Sequence, residues 1–173
     1  MQQPHKYGRI ERERRFLLGA FPSGDVVRIR HIKDRYLDGT RLRLREQADE
    51  GGPAIFKLTQ KVADGESGAL HELVTNIYLT ADEFQLLSRL PGRMLSKVRY
   101  SIPPFGIDVF ADALEGLRLA EAEFRSAADA DALAIPGYML HEVTGDVRFT
   151  GGQLVRASRQ SVEDWLTGYG MTL

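Results

Sequence analysis

The 173-residue chain contains no cysteine. That excludes a disulfide scaffold, a thiolate zinc site, an iron–sulfur cluster and a cysteine nucleophile. Long apolar runs are also missing, all falling far short of the roughly 18 residues that a membrane-spanning helix needs. Met1 to Arg15 is polar and charged, without the apolar centre of a secretory signal, so a cytoplasmic protein with no membrane partner is expected. Neither His71-Glu72 nor His141-Glu142 continues into an HExxH spacing, which argues against a zincin. There is no fixed-period repeat of solenoid type. No single sign of charge dominates: 23 Lys+Arg face 24 Asp+Glu, a formal net charge of −1. Nucleic acid is therefore not an expected partner, because nothing global attracts a polyanion. What remains is ordinary for a folded chain, with 43% hydrophobic and 27% charged residues. The length predicts one domain over residues 1–173.

The near-cancellation of charge conceals an asymmetry. Residues 1–61 carry 14 Lys+Arg and 8 Asp+Glu, a net +6; residues 62–173 carry 9 and 16, a net −7. Cations and anions must then meet within one fold or serve two partners.

Alternation of apolar and polar residues predicts strands over Ile10 to Leu18, Val26 to Ile32, Thr40 to Arg45 and Ile55 to Lys61. Further strands are expected over Leu70 to Leu79, Met94 to Ile102, Gly106 to Phe110 and Leu117 to Phe124. Turn residues punctuate them at Asp38-Gly39, Gly51-Gly52-Pro53, Asp64 to Gly68 and Pro103-Pro104. Thr80 with Glu83 forms the capping box of a helix over Ala81–Leu90, stopped by Pro91-Gly92. Short helices are expected near Ser126–Leu133 and Ser158–Leu166, the latter burying Val162, Trp165 and Leu166. Gly151-Gly152 lacks P-loop context and reads as a turn. The count of about eight strands points to a β-barrel or sandwich with helical additions.

Side chains two apart share a strand face. Glu11, Glu13 and Arg15 therefore align, as do Arg41, Arg43 and Arg45, and Lys57, Thr59 and Lys61. Lys97 aligns with Arg99, Asp108 with Phe110, and Glu121 with Glu123, while Leu42, Leu44, Phe56, Leu58 and Ala122 take the opposite faces. A single such strand usually marks a solvated face. Taken together, the signs are sorted by strand rather than mixed as solubility requires. If helices cover the outside of a barrel, the charged faces point into its lumen, where clustered cations repel unless anions lie between them. Carboxylates opposite them would hold a hard divalent cation such as Mg²⁺, which keeps phosphate oxygens as further ligands. Polyphosphate meets all three requirements. Arg12, Arg14, Arg28 and Arg30 read as a solvated face or as ion-pairing partners, without the interleaved aromatics of a single-strand binder. His31 reads as a structural histidine.

Glu11-Arg12-Glu13-Arg14-Arg15 resembles the ExExK signature of the CYTH superfamily, the triphosphate tunnel metalloenzymes. Further resemblances follow in order: the basic strand Thr40 to Arg45, Leu58-Thr59-Gln60-Lys61, Lys97-Val98-Arg99-Tyr100, and Ile107-Asp108-Val109-Phe110. Gly116-Leu117 through Ala120-Glu121-Ala122-Glu123, and Glu142-Val143-Thr144-Gly145-Asp146 with Phe149, complete the series.

The resemblance implies a mainly β (α+β) fold, an eight-stranded antiparallel closed β-barrel with short flanking helices. It implies metal-dependent hydrolysis of inorganic triphosphate or a small organic triphosphate in a charged tunnel. Alternatives within its scope are an adenylate cyclase forming cyclic AMP from ATP and a non-catalytic polyphosphate- or nucleotide-binding module. Carried over by position, Arg15, Lys97 and Arg99 would be catalytic, and Arg41, Arg43, Arg45, Lys57 and Lys61 would bind substrate. Glu11, Glu13, Glu72, Asp108, Glu121 and Glu123 would hold Mg²⁺ or Mn²⁺ in a two-metal site. A homodimer is also within the family's range. The sequence departs from the pattern twice. Arg15 stands for the signature lysine, and Glu72 is followed on its face by Val74 and Asn76 where many relatives repeat glutamate.

Overall fold

Strands that are apolar on one face can bury that face by closing on themselves or by carrying helices, and this chain does both. The computed structural model describes residues 6–63 and 71–173. Nine strands run β1 (Arg9–Leu18), β2 (Arg28–Leu37), β3 (Leu42–Asp49), β4 (Ile55–Ala63), β5 (His71–Leu79), β6 (Gly92–Ile102), β7 (Phe105–Phe110), β8 (Arg118–Phe124) and β9 (Met139–Glu142). Short helices are interspersed as α1 (Ala81–Leu87), α2 (Ala127–Asp131), α3 (Gly151–Leu154) and α4 (Arg159–Thr167). The turn expected at Asp64 to Gly68, and Leu70, lie outside the described residues.

All strand pairings are antiparallel, in the order β5-β4-β3-β2-β6-β7-β8-β1, and β1 also pairs with β5. That closes an eight-stranded barrel, with β9 as an extra strand. Strand stagger means β5 covers only Arg9 to Arg12 on one edge of β1. The rest of that edge is paired by other groups: Val143 N–H donates to Arg15 O (2.8 Å), Arg15 N–H donates to Thr144 Oγ1 (3.0 Å), and β9 pairs with Phe16 to Leu18. The Glu142–Asp146 motif thus seals an open strand edge.

Two apolar layers fix the barrel's surroundings. Outside, Phe16, Leu18, Ile102, Phe105, Ile107, Ala120 and Ala122 are buried with Met139, and Leu133 and Tyr138 pack over them. The other layer lies on the faces that carry charge. On β1 the run Glu11, Glu13, Arg15 continues as Leu17; on β6, Arg99 and Lys97 give way to Leu95; on β7, Asp108 to Phe110; on β8, Glu121 to Leu119. These apolar positions pack with Leu114, Val143, Phe149, Leu154, Val162 and Leu166. The C-terminal segment therefore packs an apolar plug against one end of an otherwise charged lumen. Trp165 stacks edge-on against Phe149, with ring centroids 6.1 Å apart.

The capping box at the start of α1 forms, with Thr80 Oγ1 accepting from Glu83 N–H and the Glu83 carboxylate accepting from Thr80 N–H (2.7 Å). The helix ends at Leu87, short of Leu90. β2 runs to Leu37 rather than stopping at Ile32, and β9 was not expected. Gly151-Gly152, expected as a turn, opens α3. A Cβ at Gly151 would lie 2.0 Å from Tyr36 Oη, so only glycine lets α3 approach the barrel wall there. Among the described residues no helix is long and apolar enough to cross a membrane.

Candidate active site

Inside the barrel lies a cavity of about 440 Å³ whose wall divides by charge. Arg43, Arg45 and Lys57 come from β3 and β4, Arg30 from β2, and Arg41 from the β2–β3 turn. On the other side, β1, β5 and β8 supply Glu11, Glu13, Glu72, Glu121 and Glu123. Arg15, Lys61, Lys97 and Arg99 complete the lining, and Thr150 to Gly152 with Arg156 border it from the C-terminal segment.

Strand register decides which charges meet. Arg15 faces Glu121 across β1–β8, and its planar fork joins two carboxylates, Glu13 and Glu121, the latter at 3.2 Å. Arg99 sits opposite Asp108 and donates to both of its oxygens at 2.6 Å. It reaches Glu121 as well, passing over Gly106, where a Cβ would stand 3.1 Å from the Arg99 side chain. Lys97 donates to Asp108, which is fully buried. Lys61 lies between Glu72 (2.7 Å) and Glu11 (3.4 Å). Asp34 accepts from Arg45 at 2.6 and 2.7 Å and stands 3.6 Å from Arg43. Arg43 also donates to Thr59 Oγ1 (3.2 Å), and Thr59 donates to Asn76 (2.7 Å).

Protonation follows from this crowding. Burial, and then the negative charge of Glu121, raises the Glu13 carboxyl above its ordinary range. Burial opposes ionisation of Glu121 too, but Arg99, Lys97 and Arg15 outweigh it and hold this carboxyl well below the ordinary range. Burial likewise works against ionised Asp34, and Arg43 with Arg45 overcome it, bringing the group to about 2. Lys57 is pushed down to about 8, first by burial and then by Arg45 and Arg43. Burial also lowers Lys97, which Asp108 partly offsets.

The structure brings all the expected phosphate-binding cations to one cavity, along with Glu11, Glu13, Glu72, Glu121 and Glu123. Asp108, expected as a metal ligand, is held by two cations in this structure. Its oxygens are taken by Arg99 and Lys97 and it does not line the cavity, so it serves as an anchor for two cations. Glu121 is similarly engaged, one oxygen with Arg15 and the other with Arg99. Among the described residues, no three histidine or carboxylate groups converge on a common point fit for a metal ion. Glutamates do face each other in two cross-strand pairs, Glu11 with Glu72 and Glu13 with Glu123.

Sequence reasoning missed two residues on the inner face of β2, one lining the cavity and one buried behind its arginines. Arg30, expected on a solvated face or in an ion pair, pairs with Asp49 at 2.7 Å and also lines the cavity. Asp34 was not singled out at all. Extending the strand to Tyr36 would have aligned Arg30, Ile32, Asp34 and Tyr36 on one face. Arg12 and Arg14 point away from the lumen, and Arg14 pairs with Glu142 through both carboxylate oxygens (2.8 and 2.5 Å). His31 is exposed.

No protein-family model matches the chain. It is 35% identical over 149 residues to the inorganic triphosphatase of Nitrosomonas europaea, a match covering 80% of this chain and 92% of that protein. The fold is similar to a crystal structure of an inorganic triphosphatase, with a TM-score of 0.56 and 27% identity over 85% of this chain and 95% of the other. A second crystal structure of that same protein is similar at a TM-score of 0.57 and 28% identity, over 86% of this chain and 99% of the other. Such identity, sustained over nearly the whole length of the relative, reflects common descent, and the chain belongs to the family of the inorganic triphosphatase of Nitrosomonas europaea.

Proposed function

We propose that the protein is a triphosphate tunnel enzyme that hydrolyses inorganic triphosphate, with a divalent metal, inside the barrel lumen. The observation that carries this reading is the division of one cavity into a cationic wall and a carboxylate corner. A linear triphosphate is dense in negative charge and offers no other handle, so a lumen of guanidinium and ammonium groups matches it. Arg43, Arg45 and Lys57 would take phosphate oxygens from one side, and Arg41 would meet the chain near the turn. A bound oxyanion would favour the protonated form of Lys57, restoring a charge that its free surroundings disfavour. Arg15, Lys97 and Arg99, held by Glu121 and Asp108, would oppose charge developing on the reacting phosphoryl group.

The carboxylate corner has the donor chemistry of a hard divalent cation, and its glutamates, paired across strands rather than converged on one point, would draw together around the ion. Like charges placed directly opposite across strands are unfavourable, and at Glu11 and Glu72 the Lys61 ammonium already fills the part of a cation. Glu11, Glu13, Glu72 and Glu123 would hold Mg²⁺ or Mn²⁺, while Asp108 and Glu121 stay with their arginine and lysine partners. When bound, such an ion neutralises phosphate charge and lowers the pKa of coordinated water.

The test is phosphate release from tripolyphosphate by purified protein with Mg²⁺, Mn²⁺, Co²⁺ or chelator. Thiamine triphosphate and ATP are run beside it, with cyclic AMP assayed. Metal-dependent release from tripolyphosphate is expected. No release with any of the three metals would overturn the hydrolase reading, and tripolyphosphate binding without turnover would favour the binding-module alternative. Cyclic AMP formation would instead favour the cyclase.

A further inference from the structure

We propose that Asp34 is a positioning residue that sets the Arg43–Arg45 pair for the anion, a role that rests on reading the lumen as a triphosphate site. Asp34 sits on β2 directly across from Arg45, with 1% of its surface exposed. It takes two of the five guanidinium N–H groups of Arg45, through Nε and Nη2, and locks the plane of the fork. The remaining N–H groups have no partner among the described residues, on a side chain that lines the cavity. Arg43 is braced differently. Its Nη2 donates to Thr59, itself tied to Asn76, while its buried Nε has no hydrogen-bond partner among the described residues and stands 3.6 Å from Asp34. One carboxylate thus orders two neighbouring arginines and leaves donors unspent.

Electrostatics alone would make Asp34 a poor choice for this wall. A carboxylate beside an anion site repels the ligand and weakens binding. Its benefit is geometric: a guanidinium fixed beforehand need not lose side-chain freedom when the anion arrives. Charge balance and positioning therefore predict opposite signs when the carboxylate is removed.

The experiment is calorimetric titration of tripolyphosphate, at one ionic strength, into the wild-type protein and into Asp34→Asn and Asp34→Glu, with melting temperatures measured alongside. Positioning predicts about tenfold weaker binding for both variants, the equivalent of one lost charge-assisted hydrogen bond. Asp34→Glu keeps the charge and shifts the carboxylate by one methylene, so it carries the test if the asparagine variant does not fold. Under steady turnover, KM should rise by more than kcat falls. Equal or tighter binding by Asp34→Asn, or unchanged binding by Asp34→Glu, overturns the proposal and leaves the triphosphate site standing. A wild-type protein that binds no tripolyphosphate overturns the site reading, and this inference with it.

Discussion

Asp108 offers the sharpest test of how the lumen holds its cations together. It is fully buried and accepts from Arg99 twice and from Lys97 once. Replacing it by asparagine keeps the volume but leaves two cations without their shared counterion. Breaking a buried pair by removing one partner costs about 3–5 kcal/mol. In a chain of this length, roughly 2–4 °C of melting temperature accompanies each kcal/mol, so Asp108→Asn should melt about 6–20 °C lower.

The loss should also depend on pH. Lys97 is already lowered by burial, and Asp108 is the charge that most opposes that shift. Without it, Lys97 drops further below the value of about 10.4 that an unfolded lysine keeps. Between those two values the unfolded state binds more protons, so stability rises with pH. The deficit of the variant should therefore narrow as pH is raised from neutrality toward the ordinary lysine value. Thermal unfolding followed by circular dichroism, repeated across that range, measures both effects. A melting point within about 2 °C of wild type, or a deficit that widens with pH, would refute the reasoning.

Three further outcomes follow from the same geometry. Arg15→Lys restores the signature residue but cannot reach Glu13 and Glu121 with one ammonium as the fork does; stability should fall by about 1.5–3 kcal/mol in urea titrations, with slower phosphate release. A sharp gain in rate would instead mark the natural protein as a weakened enzyme. Lys57, near 8 in the free protein, should weaken tripolyphosphate binding as pH rises through that value, and calorimetry in buffers of different ionisation enthalpy should show proton uptake on binding. A Lys57→Met variant should lose that pH dependence, and its persistence would assign the titration elsewhere. Leu166→Ala, at a site 2% exposed within the plug, should cost about 2–5 kcal/mol, read as a lower melting temperature; a loss under about 1 kcal/mol would mean that the plug packs loosely.

Residues differed in how legible they were. Arg43 and Arg45, or Lys57 and Lys61, could be assigned to one face because leucine and phenylalanine fill the alternate positions, and period-two contrast is visible in the chain. Asp34 was hidden because β2 carries charge on both faces. Lys33 and Arg35 point outward beside it, and Ile32 points in, so residue type carries no contrast there. The fate of Asp108 was equally unreadable. Its face was evident, but whether its carboxylate is spent on lysine and arginine or left for a metal depends on the registers of β6, β7 and β8.

By itself, the sequence determined that strands such as Thr40 to Arg45 and Ile55 to Lys61 carry a charged side opposite an apolar one, and that basic and acidic faces belong largely to different strands. A near-zero net charge could not reveal that sorting, whereas strand parity could, because parity is a local property of the chain. Tertiary structure alone decided the rest. Closure of β1 onto β5 placed Glu11 beside Glu72 and turned separate stripes into opposing walls. Packing of the C-terminal helices against Leu17, Leu95, Phe110 and Leu119 set where the charged lumen ends. Both results come from contacts between residues far apart in the chain, which no local pattern encodes.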